Sequence, residues 1–144
     1  MATKDQLAFL RKKASGIIRK STFHAKLRRK LLSMGGEEVV LLPQRKASVE
    51  KILKRGFIQA GKSVNLRRGE RSQCHANAAT LWKENPEEVQ IVTGYALTKD
   101  DGLWRQHTWA LEKGRIIETT VKRSIYFGCA LSRAESEEFH YLNR

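Results

Sequence analysis

The sequence predicts an α+β fold in which helices fill the N-terminal half and a cysteine-bearing helix packs on a small antiparallel sheet. Three observations predict it. Apolar residues recur at helical spacing from residue 5 to residue 32. A helix start falls at "RSQCHANAATLW", residues 71–82. Three β-branched runs then follow between residues 89 and 121, joined by connections too short for anything but antiparallel neighbours.

The chain has 144 residues and is 40% hydrophobic, enough for one domain spanning 1–144 with its own core. No apolar run is long enough to span a bilayer, and "MATKDQLAFLRKK" lacks the apolar stretch of a secretory leader. Two cysteines make no disulfide framework, so Cys74 and Cys129 are expected as free thiols in a reducing cytoplasm.

Residues 5–32 read as two helical pieces. Leu7, Leu10, Ala14, Ile17, Ile18, Leu27 and Leu31 form the apolar stripe, and Gly16 with Ser21-Thr22 weakens the middle. "VVLLP", 39–43, is either a buried strand or a loop anchor. "ASVEKILKRG", 47–56, is a helix with Ser48 as N-cap and Gly56 closing it. "FIQAG" is a short strand, and "KSVNLRRGERS" is a polar, basic connection. Ser72 is expected to cap a helix from about Gln73 to Glu84, ended by Asn85-Pro86. Strands are expected over 89–98, 103–112 and 115–121, with turns at "KDDG" and Lys113-Gly114. "SIYFGCAL", 124–131, is a fourth strand or an irregular closing segment. Ser132 and Glu135 fit a capping box for a C-terminal helix.

Charge is unevenly spread. The net charge is +13, yet Lys and Arg outnumber Asp and Glu by 19 to 5 as far as Arg71 and trail them 9 to 10 thereafter. Residues 1–33 therefore read as a basic amphipathic helical arm. Its apolar stripe is expected to pack on the body, leaving Arg11, Lys12, Lys13, Arg19, Lys20, Lys26, Arg28, Arg29 and Lys30 for nucleic acid or another polyanion.

The chemistry centres on Cys74. A helix N-terminus favours a thiolate over a thiol. A nearby imidazole can take the thiol proton, and an acid can orient that imidazole. His107 lies on the second strand and Glu118 on the third. If the hairpin turn pairs Glu112 with Arg115, position 109 opposes 118, and Glu118 is then diagonal to His107 on one face. The Cys74 amide is the leading oxyanion donor, with Gln73, Gln59 and Asn65 as weaker candidates. Trp104 is a candidate cleft residue, while Trp82, Trp109 and Cys129 are read as core. Cys74, His75, His107 and Cys129 lack the paired spacing of a zinc site, so no metal or cofactor is expected. His75 is expected exposed or hydrogen-bonded behind the thiol.

"SQCHANAATLW … VTGYAL … WRQHTWALEKGRIIETT" resembles the core of the transglutaminase-like branch of the papain-like cysteine enzymes. Cys74 opening a helix, the Gly94-Tyr95 strand, His107-Thr108-Trp109 and Glu118 follow that family's order over residues 70–120; the Cys-His-Glu core as a whole takes in 70–131. Glutamate stands where the family usually has aspartate, and no calcium-binding features accompany the core. The resemblance implies a nucleophilic Cys74, His107 as base and acid, Glu118 as orienting residue, and Gln73, Trp104 and Tyr95 near oxyanion or substrate. It also implies a protein or peptide substrate and thioacyl chemistry ending in hydrolysis, deamidation or acyl transfer. A different reading takes the basic half as primary: a nucleic-acid-binding or regulatory protein on the same scaffold, with an inactive or structural triad.

Overall fold

The computed structural model describes residues 2–144. It is an α+β protein with five α-helices and a curled seven-stranded sheet among those residues. Helix α1 (Lys4–Ile18) ends before Ser21, whose side chain caps α2 (Thr22–Ser33) by accepting the His24 amide, so the expected break falls at Arg19–Ser21 and Gly16 stays helical. Both helices pack on the body through Ala14, Leu27 and Leu31.

The apolar run after the Gly35-Gly36 turn contributes only the two-residue strand β1 (Glu38–Val39), and extended chain follows it. Glu38 is fully buried there. The Arg28 guanidinium grips both of its carboxylate oxygens at 2.8 and 2.9 Å, and Arg11 approaches to 3.5 Å. Arg28 and Arg11 thus pair with an internal carboxylate, as a buried carboxylate requires. Helix α3 (Lys46–Arg55) starts one residue earlier than expected. Arg45 is its N-cap, which puts Ser48 inside the helix rather than at its end.

Strands β2 (Phe57–Ala60), β3 (Asn65–Leu66), β4 (Val89–Thr98), β5 (Leu103–Glu112), β6 (Arg115–Glu118) and β7 (Ile125–Ala130) complete the sheet, in the order β2-β7-β4-β5-β6-β3. Strands β4, β5 and β6 form the expected meander. β7 does not continue it: it returns to pair antiparallel with β4, between β4 and β2. Strand β5 is paired with β4 along its whole length. Its other edge meets β1 only at Leu103 and Trp104, and β6 only from Ala110 to Glu112. The stretch 105–109 therefore has no strand on that edge.

Helix α4 (Cys74–Glu84) packs on β5, and α5 (Arg133–Asn143) packs on α4. One core lies on the helical face of the sheet, around Tyr95, Trp104, Ala110 and Cys129. A smaller one lies on the opposite face, around Val92, Trp109, Ile116 and Tyr126. No helix among the described residues is long and apolar enough to cross a membrane.

Helix α5 carries the expected capping box, with the Ser132 amide donating to Glu135 at 2.8 Å and the Glu135 amide to Ser132 Oγ at 3.2 Å. The same carboxylate joins α5 to α3 through Lys51 at 2.7 Å and Arg55 at 3.0 Å. Glu135→Ala removes half of the cap and both links. Its expected cost is about 1–2 kcal/mol, read as a lower urea midpoint.

Candidate active site

Helix α4 begins at Cys74, with Gln73 as N-cap. Ser72 is not the cap. Its φ of +59° places it in the left-handed region, turning the chain sharply just before the thiol. The amides of Cys74, His75 and Ala76 open the helix with no carbonyl one turn back, so they face outward as donors. The loop before the helix is tied down by Asn77. Its side chain accepts the Glu70 amide at 3.0 Å and donates to the Glu70 carbonyl at 2.8 Å. A Cβ at Gly69 would meet that Asn77 side chain at 2.6 Å, so a larger residue there would have to displace the amide that ties the loop down. Asn77→Ala is expected to release the loop at a cost of about 1 kcal/mol. Tryptic cleavage after Arg68 and Arg71 should then run about fivefold faster.

His75 follows the thiol and points the other way. Its Nδ1 lies 2.6 Å from Thr108 Oγ1, and that hydroxyl donates to Thr93 Oγ1 at 3.2 Å. Thr108 therefore accepts from an Nδ1–H, and the ring pins the first turn of α4 to β5. Burial and the charge of His107 hold the His75 pKa below its ordinary value, so the ring is a neutral strut.

His107 and Glu118 meet as the hairpin register requires. Ala110 opposes Ile117, and Glu112 opposes Arg115, which is the pairing expected from the Lys113-Gly114 turn. His107 Nε2 lies 2.8 Å from Glu118 Oε1, with both side chains buried. The carboxylate also accepts Tyr126 Oη at 2.8 Å on the same oxygen, and the Thr120 amide and hydroxyl at 3.0 Å on the other. With Oε1 accepting from the phenol, the His107 proton sits on Nε2. In the neutral ring Nδ1 then carries no proton. Trp109 stacks along the His107 ring with centroids 6.0 Å apart, and its outer ring edge rests over Gly128, where a Cβ would meet it at 2.8 Å.

Cys74 and His107 line one cleft of about 620 Å³. Burial works against the Cys74 thiolate. The His107 ring, as hydrogen-bond partner and as charge, and the Thr108 amide more than offset burial, so the Cys74 pKa lies below that of an ordinary thiol. The Thr108 amide belongs to the stretch of β5 with no strand on its second edge. For His107, burial opposes the charged form, but Cys74 and Glu118 as hydrogen-bond partners raise its pKa overall. Glu118 is pushed up by burial and pulled down further by His107, Thr120 and Tyr126, so its carboxyl titrates below the usual range. The other cysteine contrasts: Cys129 is fully buried, and burial pushes its pKa up.

The remaining site candidates divide. Gln73 is exposed beside Cys74 but lines a neighbouring hollow with His75 and Asn77 rather than the cleft that holds His107. Tyr95 and Trp104 are fully buried and do not reach it. Tyr95 donates to Gln44 Oε1, and Trp104 Nε1 donates to the Gly35 carbonyl, because alternation along β4 and β5 turns both onto the helical face. Gln59 and Asn65, on β2 and β3, do not line the cleft. Sequence reasoning missed Tyr126, Thr120, Thr119 and Asn77. Only the Thr residues lay next to a named candidate.

Lys12, Lys13, Lys26, Arg29 and Lys30 are exposed on α1 and α2, and Arg19 and Lys20 are exposed in the link between them. Lys13, Lys26 and Lys30 lie over Phe9, Phe23 and Phe127 at 5.7–5.9 Å, which covers apolar surface without removing their charge. Comparison of the chain with protein-family models, curated proteins and solved structures finds no match.

Proposed function

We propose that the protein is a cysteine enzyme of the papain-like, transglutaminase-like kind, acting on an amide or related acyl bond through a thioacyl intermediate. The observation that carries this reading is the geometry at His107. One ring nitrogen is fixed on a buried carboxylate at 2.8 Å, and the ring lies in one cleft with a thiol at a helix N-terminus.

Each residue then has a defined task. His107 Nδ1 takes the Cys74 proton, giving a thiolate–imidazolium pair. Glu118 holds the ring's tautomer and stabilises its positive charge. The thiolate adds to the substrate carbonyl carbon, and the carbonyl electron pair moves to oxygen. The Cys74 amide is the donor placed to receive that oxyanion. Collapse breaks the bond to the leaving group, which takes the proton from His107. Water or an amine then adds to the thioester, giving its proton to His107. The thiolate leaves and restores the pair.

p-Nitrophenyl acetate, a generic acyl donor, tests this. A burst of one p-nitrophenolate per chain is expected, with an acetyl adduct on the Cys74 peptide after acid quench. No burst, or a burst that survives Cys74→Ala, would overturn the reading.

The nucleic-acid alternative is supported by the exposed cations of α1 and α2. It calls for binding to duplex or single-stranded nucleic acid that survives Cys74→Ala and weakens steeply with salt.

A further inference from the structure

The cleft at Cys74 has a one-sided charge. Its lining includes Arg68, Arg71, Arg105 and Arg123, and no aspartate or glutamate. Arg105 is neutralised locally: it bonds Asp101 at 2.6 Å and donates to Thr98 Oγ1 at 2.8 Å. The other three differ. Among the described residues, no carboxylate lies in salt-bridge range of Arg68, Arg71 or Arg123, although Arg28, Arg55 and Arg133 elsewhere are each paired. Arg123 is held in place without being neutralised, its Nε donating to the Val121 carbonyl at 2.9 Å. Its charge reaches the His107 ring. The same wall carries Thr119, 2% exposed, whose buried hydroxyl has no hydrogen-bond partner. Three uncompensated guanidiniums and an unused hydroxyl line the same cleft as the thiol, and a concave site with walls of one sign concentrates ions of the other.

We propose that this cleft is an anion subsite: Arg68, Arg71 and Arg123, with Thr119, receive the carboxylate of an acidic residue flanking the bond that Cys74 attacks, so the substrate is an acidic peptide. This rests on the cysteine-enzyme reading. A peptide is favoured over a phosphodiester chain because a peptide carries an acyl carbon for the thiolate and a nucleic-acid backbone does not. The planar forks of arginine also match a carboxylate in two-point contact.

Two alkylating agents of nearly equal size separate the possibilities. Iodoacetamide is neutral and iodoacetate carries a carboxylate. In the folded protein, the ratio of iodoacetate to iodoacetamide rates at Cys74 should exceed that of the urea-unfolded chain by about tenfold, within the range that electrostatic focusing gives. The ratio should fall severalfold in Arg68→Gln, Arg71→Gln and Arg123→Gln, and fall with added salt. Lys83→Gln and Lys113→Gln, which remove equal charge far from the cleft, should leave it unchanged. A glutamate-rich peptide should protect Cys74 from iodoacetamide. A thiol slow toward both reagents would instead remove the underlying enzyme reading. A thiol fast toward iodoacetamide without the iodoacetate preference, or with a preference indifferent to the three arginines, would overturn the anion subsite alone. Protection by an oligonucleotide and not by the acidic peptide would overturn the peptide assignment.

Discussion

His107→Ala is expected to raise the apparent pKa of Cys74 alkylation to roughly that of a free thiol, about 8.5, and to slow alkylation at pH 7 at least about tenfold. Two of the influences that lower the Cys74 pKa come from this one ring, while burial opposes them. Remove the ring and burial is left opposed only by the Thr108 amide and the helix terminus. The effect on acyl transfer is larger, because the same ring must also take the proton of the water that adds to the thioester. A loss of about 10²–10⁴-fold in the p-nitrophenyl acetate reaction is expected. The fold should survive, since the Tyr126 phenol and the Thr120 amide and hydroxyl still hold the buried Glu118 carboxylate. Unchanged near-ultraviolet circular dichroism checks that point.

Replacing Glu118 has the second large effect, and two substitutions separate its causes. Glu118→Ala strands four donors that now converge on one buried carboxylate: His107 Nε2, Tyr126 Oη, and the amide and hydroxyl of Thr120. A loss of about 3–5 kcal/mol is expected, enough to unfold a marginally stable domain. Glu118→Gln keeps the shape and loses the charge, so the domain should fold. The His107 pKa, followed by its ring proton resonance, should then fall. The pH dependence of stability follows from the two shifts. Glu118 titrates below its ordinary value, so its contribution is present above about pH 4.3 and is lost as pH falls through the folded pKa. His107 titrates above its ordinary value, so its contribution is complete below about pH 6.5 and is lost as pH rises through the folded pKa. The stability gap between wild type and Glu118→Gln should therefore be widest between about pH 4.5 and 6.5, and chemical denaturation across that range measures it.

Local signals made the site legible where local physics sets it. The Lys113-Gly114 turn fixes the β5–β6 register, and alternation then puts Glu118 within reach of His107. The small-residue run after Cys74 and the Asn85-Pro86 stop delimit α4. Failures came where a distant segment decides. Ser72 has the right side chain for a cap, but the loop that Asn77 ties to α4 forces it into the left-handed region, and Gln73 takes the cap position. Tyr126 lies on β7, whose place beside β4 is a non-local pairing that no turn signals, so the phenol under Glu118 was invisible. Glu38 opens an apolar run, and nothing in its neighbourhood announces that Arg28, ten residues earlier, encloses it. Trp104 next to Arg105 suggests a cleft wall, but strand alternation sends the two side chains to opposite faces. The positive first half likewise resolved into separate parts: Arg11 and Arg28 serve Glu38, Arg55 serves Glu135, and Arg68 and Arg71 border the thiol.

The central claim is that Cys74 is a thiolate paired with His107 at neutral pH. The difference in absorbance at 240 nm between the wild-type protein and Cys74→Ala, titrated from pH 4 to 10, measures it directly, because Cys129 is common to both and cancels. Thiolate absorbance that is already present at pH 6, and is lost in the His107→Ala background, is the expected result. A difference spectrum that stays flat until about pH 8.5 or above, with or without His107, would contradict it.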